Sequence, residues 1–200
     1  MLKRMMYYFF GLLLMAFGTV ILLKSELGVA AFDALCYGLS QCVELSVGQC
    51  CMILGMIILG INAVIKKKFP SIYSYLTSIL VGWFIDFGMR FIGFSIESIW
   101  LQCGIFIIGM LINSFGVALY ISAELAKGPI DQLMLNISQV LNKEIWIGKT
   151  VMETIFLVLA IIVNGPIWIG TLVITFGSGM CINYFFNILN RGVTKGKGKN

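Results

Sequence analysis

The sequence predicts an all-α membrane protein with six transmembrane helices in two inverted three-helix repeats. Each repeat carries a short re-entrant or interfacial helix after its first span. Three observations predict this fold. First, 60% of the 200 residues are apolar, 12% are charged and the mean hydropathy is +0.98. A soluble domain of this length cannot hide so much apolar surface. Second, the chain repeats itself at an offset of 98. Laying residues 11–41 on 109–139 makes ten of 31 pairs identical, among them Glu26/Glu124, Asp33/Asp131, Ser40/Ser138 and Gln41/Gln139. Shared oiliness does not explain matching acids and amides. Third, the basic residues cluster at the ends of apolar runs, where topology signals lie.

The first span is expected near 7–23. Lys3-Arg4 followed by an apolar run has the look of a signal peptide, but the run is long for one. Its repeat partner, near 105–121, lies mid-chain where no signal is cleaved. The other spans are expected near 47–65, 71–93, 100–121, 147–164 and 166–189. Each reaches or approaches the ~20 apolar residues that cross a bilayer core. Two shorter stretches, 28–44 and 127–143, are amphipathic at helical spacing. Asp33, Tyr37, Ser40, Gln41 and Glu44 share one side of the first, and Asp131, Ser138 and Asn142 share one side of the second.

Charge decides whether these stretches cross. If they do not, Lys66-Lys67-Lys68, Lys127, Lys143 and the basic tail 191–200 all lie on the side of the N-terminus. By the positive-inside rule that side is the cytoplasm. The chain therefore reads as one transmembrane domain over 1–200, with repeat 1 at 7–93, repeat 2 at 102–190 and both termini cytoplasmic. Lys66-Lys67-Lys68-Phe69-Pro70 reads as a tight turn, and Phe94 to Ser98 joins the halves.

At Leu27-Gly28 to Asp33, Lys127-Gly128-Pro129-Ile130-Asp131, Val47-Gly48, Ile147-Gly148 and Gly170-Thr171 the chain resembles the YczE/YyaS/YitT family of bacterial integral membrane proteins. The resemblance covers both halves. It implies the architecture, and a place in the bacterial cytoplasmic membrane, more than an activity. The first copy departs from the pattern, with Ala31 where the second has Pro129.

Several function classes are excluded. With no histidine, the chain lacks the commonest general base and metal ligand. Its six cysteines form no C-x-x-C pair, so packing is their expected role. No nucleotide-binding loop is present. The expectation is a protein that is not an enzyme, with no cofactor, no metal and no nucleic-acid partner despite its net charge of +5.

Asp33 and Asp131 are the first binding candidates. Pro129 suits a first helical turn, so Asp131 would lie where free N–H groups and the helix dipole favour a carboxylate. That role is structural; two such helix starts converging from opposite faces would also form a solute or ion site. Asp86 lies inside an apolar run, which marks a functional candidate, with Arg90 one turn on as its expected ion-pair partner. Its repeat partner Asn183 is neutral. Glu153 and Lys149 form a second i, i+4 pair. Glu26 and Glu124, with Gly28, Gly128 and Pro129, are read as setting the turns before the short helices. Gly11, Gly18, Gly109 and Gly116 recur at seven-residue spacing, a pattern that packs membrane helices closely.

The leading expectation is a transporter or permease for an unidentified small solute, working by alternating access in the lipid bilayer. A chain this small fits a homodimer. Two alternatives stand beside it: a substrate-binding membrane subunit served by a separate ATPase, and a non-transporting accessory or scaffold protein.

Overall fold

The computed structural model describes residues 2–67, 72–93, 98–125, 127–143 and 145–196. The expected turn at Lys68, Phe69 and Pro70, linker residues 94–97 and tail residues 197–200 lie outside the described residues. So do the side chains of Trp146, Arg191 and Lys195.

All regular structure among the described residues is helical. In order come α1 (Leu2–Lys24), α2 (Ala31–Val43), α3 (Val47–Lys66), α4 (Ile72–Phe91), α5 (Ile99–Ser122), α6 (Pro129–Leu141), α7 (Ile145–Ile162) and α8 (Ile169–Gly196). By length and composition, α1, α3, α5 and residues 169–189 of α8 are long and apolar enough to cross a membrane. The intervening α4 and α7 have 20 and 18 residues. The short α2 and α6 have 13 each. Helix α8 runs past the expected start of the basic tail, as far as Gly196.

Local chemistry sets the ends. Ser46 and Gln49 form a capping box at α3, the Ser46 hydroxyl accepting from the Gln49 N–H at 3.1 Å and the Gln49 carbonyl accepting from the Ser46 N–H at 2.9 Å. Pro129 opens α6, where its missing N–H costs nothing. Six described non-glycine residues have positive φ, and they fall into three pairs 98, 98 and 97 residues apart. The pairs are Glu26 (60°) with Glu124 (52°), Glu44 (53°) with Asn142 (51°), and Lys67 (51°) with Asn164 (54°). Such a conformation costs a side-chain-bearing residue about 1 kcal/mol or more. The same cost is therefore borne at the same turns in both halves.

Helices α1 and α5 form the most extensive contact in the molecule. A β-carbon at Gly18 would lie 2.5 Å from the Asn113 nitrogen, and one at Gly11 would lie 2.5 Å from the Tyr120 nitrogen. Gly116 abuts the Met15 backbone in return, and Gly109 lies against Ile21 and Leu22. The backbones approach this closely because four glycines remove the side chains between them. Asn113 then crosses the gap, its amide donating to the Met15 carbonyl and the Thr19 hydroxyl, each at 3.0 Å.

The short helices lock the two halves together. Helix α2 packs on α7 as well as α3, and α6 packs on α3 as well as α7. The Gly165 turn after α7 lies on the Ala34 carbonyl of α2, and the Gly170 N–H donates to the Leu27 carbonyl at 2.9 Å. From the other half, the Asn62 amide of α3 donates to the Pro129 carbonyl at 2.9 Å and its oxygen accepts from Asn136 at 2.7 Å. Large apolar side chains such as Ile57, Val64, Ile162, Ile169 and Met180 stay exposed on the outer faces. Exposed patches of this extent suit a lipid environment rather than water.

Candidate functional site

Asp33 and Asp131 each stand third in their short helix, within the first turn. The fold brings both to one cavity of about 130 Å³. Its wall comes from α1 (Leu12, Met15), α4 (Thr77, Val81, Ile85), α5 (Val117, Tyr120), and the starts of α2 and α6. The lining is largely apolar, so the two carboxylates dominate its chemistry.

Each carboxylate is oriented by the spanning helix of its own half. The Thr19 hydroxyl of α1 donates to Asp33 Oδ2 at 3.3 Å, and Thr19 in turn accepts from Asn113 of α5. The Tyr120 hydroxyl of α5 donates to Asp131 Oδ2. Thr19, Asn113 and Tyr120 are residues of the candidate site that sequence reading did not single out. The available signal was their polarity on the glycine-bearing faces of α1 and α5, one position from Gly18 in the case of Thr19.

Below the cavity lies a second recess, lined by Met5, Tyr8, Tyr73, Ser74, Lys127 and Gln132. Tyr8, which lines the recess, is hydrogen-bonded to Thr77, which lines the cavity, and within the recess the Gln132 amide donates to the Ser74 hydroxyl.

Asp86 does not join the cavity. It accepts from the Ser46 hydroxyl at 2.5 Å and from the Gly48 N–H at 2.8 Å, tying α4 to the start of α3. The expected ion pair with Arg90 is not formed; both line a separate recess, and the described ion pair is Arg4 with Glu124 at 3.1 Å, on exposed side chains. The free N–H groups and dipole at the start of α3 attract the carboxylate more strongly than a cation one turn away.

Glu153 of α7 stays within electrostatic reach of Lys149 and also reaches a helix start. Its carboxylate accepts from the Ala31 N–H, the first residue of α2, while Oε2 is buried without a partner. It thus caps the short helix of the opposite half, beside Asp33. Asn183 is exposed on α8, accepting from Asn187 at 3.4 Å, and stands apart from the cavity.

The turn residues do different work in the two halves. Glu26 and Glu124 hold the positive-φ positions. Gly28 has a φ of 109° and packs on Thr171, where a β-carbon would lie 2.6 Å from Oγ1. Gly128 has an ordinary φ of −60° as the residue before Pro129. No described group of three His, Cys, Asp or Glu side chains is placed to hold a metal.

The chain is 34% identical to "Uncharacterized protein YyaS" of Bacillus subtilis over 190 residues, which is 94% of each chain. It is 35% identical to "Uncharacterized membrane protein YczE" of the same organism over 137 residues, 68% of this chain and 63% of that one. A Haemophilus influenzae "Uncharacterized protein" is 22% identical over 184 residues, 91% of this chain and 83% of that one. No solved structure matches significantly. The resemblance read from the turn motifs holds, and the model of the "Family of unknown function (DUF6198)" matches residues 2–187, so the chain belongs to that family as a membrane protein related to YyaS and YczE.

Proposed function

We propose that the protein is a small-solute transporter of the bacterial cytoplasmic membrane, built from two inverted three-span repeats and carrying its solute in the cavity between Asp33 and Asp131. One observation carries this reading: aspartates at equivalent positions of the two repeats line one cavity. A carboxylate inside a membrane protein is expensive and marks a solute or ion pathway by default. Half-length helices whose starts meet in the interior are a recurring transporter site.

Three further features support it. The paired positive-φ turns fit a duplicated unit. The exchange of α2 and α6 between halves gives each half a grip on the other, as rocking repeats require. The Tyr8–Thr77 bond, which joins the lining of the cavity to that of the lower recess, fits a gate. With both termini cytoplasmic, that recess opens inward and Asp86 lies on the outer side.

Two measurements test the reading. Leu45 and Lys143 are exposed and stand at equivalent positions of the repeats. Single cysteines there, in a background lacking the native six, are expected to react with an impermeant thiol reagent from outside at 45 and only after lysis at 143. Labelling of both from one side refutes inversion. Proteoliposome flux that appears only with an added ATPase points instead to a subunit of a larger system. No flux, with the cavity indifferent to Asp33 and Asp131 substitution, points to an accessory protein.

A further inference from the structure

We infer that the cavity binds a small organic ammonium ion, its charge held by Asp33 and Asp131 and its short apolar body by Leu12, Val81, Ile85 and Val117. The inference rests on reading this cavity as the solute site, and it names the class of solute.

The carboxylates want a cation. No described lysine or arginine lies within 4.0 Å of either; the Lys149 ammonium is near enough to act on Asp131 electrostatically but makes no ion pair with it, and Glu153 adds a third carboxylate beside Asp33. Each accepts one side-chain hydroxyl, Asp33 from Thr19 at 3.3 Å and Asp131 from Tyr120. A carboxylate has room for about four hydrogen bonds. Their helix starts supply only part of the missing positive charge, since a helix N-terminus is worth about half an elementary charge. An anion there would meet Asp33 and Asp131 with Glu153 behind them, and a neutral solute would leave Asp33 with no cation beside it.

The rest of the wall wants carbon. Hard metal cations take six or more oxygen ligands. Among the described residues the cavity offers, beside the two aspartates, the Thr77, Ser78 and Tyr120 hydroxyls; Thr77 is already bonded to Tyr8 and Tyr120 to Asp131, and the rest of the wall is apolar. The Phe32 and Tyr120 rings are suited to an alkylammonium. Size sets the limit, since a cavity of about 150 Å³ takes benzene. At about 130 Å³ this one takes a molecule of similar or slightly smaller size.

The test uses the full chain purified in detergent and three probes of matched shape: n-butylammonium, n-butanol and butyrate. Calorimetry is expected to show n-butylammonium binding at least about tenfold more tightly than either of the others, the difference a charge-assisted contact makes. Sodium and potassium chloride alone are expected to give no binding. D33N and D131N should each weaken n-butylammonium about tenfold or more, while E44Q, on an exposed helix end, should not. If an aspartate variant fails to fold, V117F closes the cavity from an apolar wall and should abolish binding. Equal affinity for n-butanol, tight binding of sodium, or unchanged affinity in folded D33N and D131N each overturns the inference. Flux separates it from the transporter reading. Binding of n-butylammonium without movement across liposomes upholds the ammonium site and defeats the transporter. Flux of a neutral or anionic solute that D33N and D131N abolish upholds the transporter and defeats the ammonium site.

Discussion

Helices α3 and α4 in the first half correspond by position to α7 and α8 in the second, yet the two pairs are arranged differently. The first pair is closed: α3 packs along α4, and Gly48 and Gly82 bring the backbones together so that a β-carbon on either would strike the carbonyl of the other. Asp86 adds bonds to Ser46 and Gly48. Among the described residues, helices α7 and α8 make no comparable contact, and Gly179, the counterpart of Gly82, has only the Lys149 ammonium nearby, 3.5 Å from where a β-carbon would sit. Three substitutions separate the pairs. Asn183 replaces the acid, Trp146 replaces the capping serine, and Lys149 replaces Gln49. The two halves thus share their helix order and turns, while the second lacks the tie that closes the first. In an alternating-access reading this is what one state of an inverted-repeat carrier looks like, shut between α3 and α4 on the outer side and parted between α7 and α8 on the inner side.

The largest effect should come from the glycines. Gly82→Leu forces a side chain into the Gly48 carbonyl and Met52, and is expected to cost about 3 kcal/mol or more through overpacking against backbone. Gly179→Leu enters space that only a flexible lysine borders and should change stability by less than about 0.5 kcal/mol. Thermal melting of the two variants in detergent checks this. Equal destabilisation would mean that α7 and α8 also close tightly, and the contrast would fail.

Next comes the tie itself. Asp86→Ala removes two hydrogen bonds made by a carboxylate and strands the Gly48 N–H, an expected loss of about 1.5–3 kcal/mol. Arg90→Ala should leave melting within about 0.5 kcal/mol of wild type, since its guanidinium pairs with no described acid. A reversed order would restore the i, i+4 ion pair that the sequence suggests.

Asp86 also shows where sequence reading stops. The apolar runs located all eight helices, with spans expected at 47–65 and 100–121 found at Val47–Lys66 and Ile99–Ser122. They are legible because hydrophobic length is a local property. The pairing of Asp33 with Asp131 was legible because the internal repeat carries long-range information within one chain. Partners without a repeat signal were not legible. Arg90 shares a helical face with Asp86, but the carboxylate turns to a helix start 40 residues away. Glu153 keeps Lys149 within electrostatic reach but also accepts from the Ala31 N–H of another helix, a partner that spacing does not show. Helical spacing counts neighbours on one helix and is blind to free N–H groups on the next. Thr19, Asn113 and Tyr120 were missed for a related reason: their roles arise where α1 crosses α5, and only the crossing shows which polar groups meet.

A smaller effect, but a more direct one, is motion. Spin labels at Met56 and Leu76 report the α3–α4 separation, and labels at Ile155 and Val173 report α7–α8; all four positions are exposed. Without solute the first pair should give a narrow distance distribution and the second a broad one. Saturating n-butylammonium should shift the α7–α8 distances by up to about 5 Å, the scale of a one-turn displacement. A fixed α7–α8 distance under all conditions would make the difference between the halves a permanent feature of the fold and remove it as support for alternating access.

The smallest expected change is in the ratio of two states, and it tests the comparison most closely. Asn183→Asp gives the second half the acid that the first half uses. Asn183 is exposed on α8, so the substitution displaces no packed neighbour. If α7 and α8 do close in another state, the new carboxylate would meet the Gly148 N–H there, as Asp86 meets Gly48 here. A bond worth about 1 kcal/mol, made in only one of two states, shifts their ratio about fivefold. The α7–α8 distances should then move toward short values without solute, while the α3–α4 distances widen in step. A short α7–α8 distance with α3–α4 unchanged would show two pairs that close independently, a result compatible with a gated channel and not with rocking repeats.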